Sequence, residues 1–141
     1  MGARYGWVLT DARGPGLLRG RFEYAVDALP VLVAFQPGGA AYGIGFNPWV
    51  MKWNFATPRR RSPYIEVGGG LVFTTRQVPA GANYFNFTPG GAIGVTLVRG
   101  KYHRGIDFRY FHVSDAQITA FHPGTDTFGF RMGVGEFVHA K

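Results

Sequence analysis

The sequence predicts an all-β fold, an antiparallel meander of the outer-membrane barrel type. Three observations carry this. Helical periodicity is nearly absent, and Gly or Pro punctuation recurs about every dozen residues, which is the rhythm of strands and turns. The strand candidates alternate between a large, aromatic face and a face of glycines and charges of both signs. Their length, about 10–14 residues, suits a tilted crossing of a hydrocarbon layer.

Seven strands are expected: Arg4–Thr10, Arg19–Ala28, Tyr42–Phe55, Tyr64–Thr75, Phe85–Val98, Tyr102–Ser114 and Asp126–Val138. In the second, Phe22, Tyr24 and Val26 share one face and Arg21, Glu23 and Asp27 the other. The apolar run Leu29–Phe35 either extends this strand, packs as a loop or hides a further strand. The third needs a phase shift at Pro48, read as a bulge, before Trp49, Met51, Trp53 and Phe55 oppose Lys52 and Asn54. In the fourth, Ile65, Val67, Leu71 and Phe73 oppose Glu66, Gly68, Gly70 and Thr74. Ile93, Val95 and Leu97 oppose Gly94 and Thr96 in the fifth. In the last, Phe128, Phe130, Met132 and Val134 oppose Gly129, Arg131, Gly133 and Gly135.

Alternation alone also fits a soluble sandwich, whose polar face meets water. That face would not need so many glycines. A small membrane barrel reverses the pattern: apolar residues meet lipid, while small residues and paired charges fill a narrow lumen. A closed meander needs an even strand count, because open edges are not viable in lipid. With seven strands in view, either one is hidden in Leu29–Phe35 or the first lies upstream of Met1, where the signal of an exported protein would also lie.

Composition is consistent with this. The 141 residues have room for one core, so a single domain over 1–141 is expected. Charged residues are 16 %, against about 25 % in soluble domains. Cysteine is absent, which excludes disulfides and thiolate chemistry. The net charge of +7 suits nucleic acid, anionic lipid or mere solubility. Basic residues cluster only at Arg59-Arg60-Arg61, read as a solvated interfacial turn. No nucleic-acid motif accompanies them, and nucleic acid is not an expected partner. No apolar run is long enough for a membrane helix.

Candidate chemistry sits on the sixth and seventh strands. His112 and Ser114 are two residues apart, hence on one face and roughly 7 Å apart along it. In phase with Ile106, Phe108 and Tyr110, they face lipid, as does Asp126, in phase with Phe128. A serine, an imidazole and an acid are the parts of an activated nucleophile. Strand ends at an interface also carry such residues simply because water begins there, so spacing alone leaves both readings open. The remaining histidines lack metal-ligand spacing, and neither metal nor cofactor is expected.

Phe108–Ala116 with His122-Pro-Gly124 resembles the His-x-Ser-Asn-Ala…Asn-Pro-Gly signature of the lipid A 3-O-deacylase family, the PagL-like acyloxyacyl hydrolases. Arg4–Thr10, Gly14-Pro-Gly16, Arg19–Asp27, Lys52–Ala56 and Pro63–Gly70 are similar to members of it as well. The resemblance implies an eight-stranded outer-membrane barrel acting on lipid A of lipopolysaccharide, with Ser114 as nucleophile, His112 as general base and Asp126 as the acid. The family acid is usually Glu. The chain departs from the signature at Asp115 and His122, where the family has asparagine. With Gly124 these are candidates for positioning or oxyanion stabilisation. A carboxylate pointing at the oxyanion would oppose it by several kcal/mol, whereas one turned away would leave the hole to backbone amides. The alternative is a catalytically weakened or inactive outer-membrane barrel of the same fold, structural or lipid-binding.

Overall fold

The computed structural model describes residues 1–58, 60–116 and 124–137. Its strands are β1 (Ala3–Val8), β2 (Gly20–Gln36), β3 (Gly39–Phe55), β4 (Arg61–Thr74), β5 (Phe85–Phe87), β6 (Gly90–Arg99), β7 (Tyr102–Val113) and β8 (Thr125–Glu136). They form one antiparallel sheet in the order β1-β2-β3-β4-β6-β7-β8, with β5 also paired to β4.

Each expected strand is present, with instructive differences at the ends. Leu29–Phe35 is neither loop nor separate strand but the upper part of β2, which pairs with β3 up to a turn at Pro37-Gly38. Gly38 takes a left-handed φ of +94° there, a conformation that favours glycine. Thr88-Pro89 separates β5 from β6, yet the register runs through it, with Phe87 facing Ser114 and Gly90 facing Phe111. Proline has no N–H to donate, but its carbonyl still accepts from His112 N–H at 2.9 Å. The two segments are therefore one strand in space. The phase shift at Pro48 is also present, as a register break between Phe46 and Trp49. Tyr24 Oη donates to the Pro48 carbonyl at 2.5 Å.

The sheet is strongly curled and inverted relative to a soluble core. Phe128, Phe130, Met132, Ile93, Val67 and Ile44 are exposed, whereas Asp27, Glu66, Asp107, Asn86 and Thr96 are buried. Arg4 on β1 and Arg131 on β8 sit on opposite edges of the sheet, yet both reach Glu66 on β4, at 2.6 and 3.1 Å. Only a sheet rolled into a barrel-like trough brings both edges to its middle strand. Among the described residues the outer edges of β1 and β8 do not pair with each other.

Charges fill the trough in balance. Arg4 also holds Asp27 at 2.5 Å, Arg109 and Arg131 hold Asp107 at 2.9 and 2.6 Å, and Lys52 meets Glu23 at 3.4 Å. Tyr64 Oη donates to Asp107 at 2.7 Å. Four cations thus face four carboxylates, as buried ions require. Glycine makes the room: a Cβ on Gly70 would overlap Asn47 Oδ1.

Candidate active site

β7 and β8 bring His112 and Asp126 face to face, because the two residues are direct cross-strand partners. Such partners have Cβ atoms about 5 Å apart, within reach of a short carboxylate. The His112 Nδ1–H accordingly donates to Asp126 Oδ1 at 2.8 Å. In that tautomer Nε2, on the far side of the ring, carries the lone pair that can accept a proton. The imidazole is 40 % and the carboxylate 62 % exposed, on the same outward side as Phe108 and Phe128.

Ser114 continues the outward face of β7, and its backbone is fixed. Its N–H donates to the Phe87 carbonyl at 3.1 Å, and its own carbonyl accepts from Phe87 N–H at 2.7 Å. Gly124 lies where imidazole and serine meet. A Cβ built on it would stand 2.8 Å from His112 Nε2 and 3.8 Å from Ser114 Cβ. The two side chains therefore border one small space, kept open by the absence of a side chain at 124.

Asp115 is 1 % exposed and engaged with its surroundings. Asp115 is buried whereas His112 and Ser114 are more open, so its carboxylate is not on the exposed surface with them. Just beyond it Ala116 has a left-handed φ of +52°, which turns the chain sharply out of the strand. His122 lies outside the described residues.

Tyr110 was not among the sequence candidates. Its hydroxyl donates to Asp126 Oδ1 at 2.8 Å, so the carboxylate is held by two donors on one strand. The available signal was its position two residues before His112, on the same face. A cavity of about 120 Å³ inside the trough is lined by Asp27, Asn47, Glu66 and Arg109 but by none of His112, Ser114 and Asp126. That is too small for a lipid, since ligand sites are usually about 300 Å³ or more. The chemistry-bearing residues instead face outward. No cluster of metal-ligating side chains exists among the described residues.

A solved structure described as the crystal structure of the outer membrane enzyme PagL aligns with a TM-score of 0.65 at 16 % identity, covering 95 % of this chain and 87 % of that one. At this identity the likeness establishes a shared fold. No curated protein sequence matches the chain. The family model described as lipid A 3-O-deacylase (PagL) matches residues 6–135, which spans every strand from β2 to β7, half of β1 and nearly all of β8. The chain is therefore a member of the lipid A 3-O-deacylase family.

Proposed function

We propose that the protein is an outer-membrane esterase that removes an acyl chain from lipid A by a serine–histidine–acid mechanism on its lipid-facing wall. The observation that carries this reading is the His112–Asp126 bond of 2.8 Å on the outward face, with His112 Nε2 and Ser114 both bordering Gly124. Membership of the deacylase family supports the substrate.

In this mechanism Ser114 Oγ attacks the ester carbonyl carbon while His112 Nε2 takes the serine proton. Asp126, bonded to Nδ1–H, sets the tautomer and stabilises the imidazolium. The tetrahedral intermediate collapses, the bond to the sugar oxygen breaks, and the imidazolium returns its proton to that oxygen. Water, deprotonated by the same imidazole, then releases the fatty acid from the serine ester. Backbone amides near Ser114 and Gly124 are the proposed oxyanion donors, and the interactions that hold buried Asp115 keep its charge from opposing them. Lipid A occupies the outer leaflet, so this rim of the wall would face outward from the cell.

One observation favours a lipid-binding barrel without catalysis: Asp115 stands where the family has asparagine. The two readings separate on one assay. Lipopolysaccharide is incubated with the refolded protein, and released 3-hydroxy fatty acid is measured. Release by wild type and none by Ser114→Ala is expected. Equal release by both would remove Ser114 as nucleophile, and no release by wild type would favour the binding barrel.

A further inference from the structure

The rim opposite the proposed active site carries a second, unassigned feature on the outer wall. In the sheet register Arg61 on β4 faces Leu97 on β6, and Leu97 faces Arg104 on β7. The three therefore lie in one row and point to one side. Leu97 is 46 % exposed and Ile106, in phase with Arg104, is 43 % exposed, so this side is the outer, apolar one. Arg99 lies two residues beyond Leu97 on β6, on the same face and nearer the rim. All three arginines are exposed. With strands about 4.8 Å apart, Arg61 and Arg104 are about 10 Å apart at the backbone, with Arg99 between and below them. Three guanidinium groups on flexible stems can converge from there on one point.

These arginines differ from the interior ones. Arg4, Arg109 and Arg131 each hold carboxylates, whereas Arg61, Arg99 and Arg104 have no ion pair among the described residues. The nearest carboxylate on this face, Glu136, is already paired with Lys101 at 3.3 Å. Three unpaired cations side by side repel one another. On a lipid-facing wall arginine is tolerated near the interface and costly at the midplane, so the cluster marks a headgroup level. Above it the wall is apolar, with Ile65, Ile93 and Val95 continuing the same faces.

We infer that Arg61, Arg99 and Arg104 form a binding site for the phosphate of an anionic glycerophospholipid, whose acyl chains lie along Ile65, Ile93 and Ile106. Guanidinium forks match phosphate oxygens bidentately, and a net charge of three cations favours a headgroup with no cation of its own. The assignment of this lipid to the periplasmic leaflet rests on the orientation proposed above, but the site itself does not.

The test uses the refolded protein in detergent, equilibrated separately with phosphatidylglycerol, phosphatidylcholine and lipid A, with retained lipid counted by native mass spectrometry. Wild type should retain phosphatidylglycerol in preference to phosphatidylcholine, and its retention of lipid A should not depend on Arg61, Arg99 or Arg104. Each Arg→Gln change at 61, 99 or 104 should lower that retention about fivefold, and the triple variant should abolish the preference. Arg21→Gln, at the same rim but on the inner face, should leave it unchanged. The single variants carry the test if the triple does not fold. Absence of preference in wild type, an equal loss of lipid A retention in the Arg61, Arg99 and Arg104 variants, or an equal loss in Arg21→Gln would each overturn the inference. Deacylation is read separately, so failure there with arginine-dependent retention intact would remove the proposed activity and leave this site standing.

Discussion

Replacing Gly124 by alanine adds a single methyl group at the point where His112 and Ser114 meet. On the present backbone that methyl would stand 2.7 Å from His112 Cε1 and 2.8 Å from Nε2, but at an ordinary 3.8 Å from Ser114 Cβ. Carbon atoms rest at about 3.5–4.0 Å, so the ring must retreat by about 1 Å. The imidazole is the end of a side chain and 40 % exposed, so it can swing aside with little loss of fold stability, within about 0.5 kcal/mol. Catalysis is less forgiving. Displacing a reacting group by about 1 Å costs on the order of 100-fold in rate. Fatty-acid release from lipopolysaccharide and the urea midpoint of the same preparation should therefore part company in Gly124→Ala, the first falling and the second holding. A wild-type rate would refute the placement of Nε2 beside Ser114. A rate loss matched by a large loss of stability would mean that the loop, rather than the ring, had moved.

Asp126→Asn should lower the acyl-release rate by at least about 100-fold, short of the roughly 10⁴-fold known where the acid is buried, because this carboxylate is 62 % exposed. An unchanged rate would remove Asp126 from the mechanism. Tyr110→Phe deletes one of the two hydrogen bonds to that carboxylate and should reduce kcat about three- to tenfold with KM little altered; a KM effect alone would instead make Tyr110 a lipid contact. Glu66→Gln leaves Arg4, Arg109 and Arg131 short of one charge, since all three reach it. The loss should be about 3 kcal/mol, the low end for a broken buried pair, because the arginines remain 22–29 % exposed; an unmoved urea midpoint in lipid vesicles would count against the interior network. Phe130→Arg, at a site 77 % exposed, should destabilise the vesicle-inserted protein by about 2–4 kcal/mol if the wall meets lipid. A neutral result would mean that this face meets water.

How much of this was legible before the fold was known follows from the range of each interaction. Side-chain direction in a strand has a period of two, so the outward set of Phe128, Phe130 and Met132 and the inward set of Asp27, Glu66 and Asp107 were already ordered by local spacing. The same rule put His112 and Ser114 on one face, and Pro48, which lacks an N–H, announced its own irregularity. Pro89 shows the limit of that reasoning: it divides the strand by hydrogen bonding but leaves its register intact. The upper half of β2 was ambiguous because Leu29–Phe35 is apolar at every position, and only pairing with β3 made it strand.

Local spacing determined the strands, their faces and the inversion of polarity, because those depend on neighbours two residues away. Only the curled sheet decided the partners. Arg4 finds Glu66 across 62 residues, and Tyr110 reaches Asp126 diagonally across two strands. The glycine beneath the imidazole lies twelve positions from it. Asp115 is buried although it follows the more open Ser114. Register and curl bring such residues together, and both are set jointly by many hydrogen bonds and by the shape of the whole wall. No short stretch of sequence contains them.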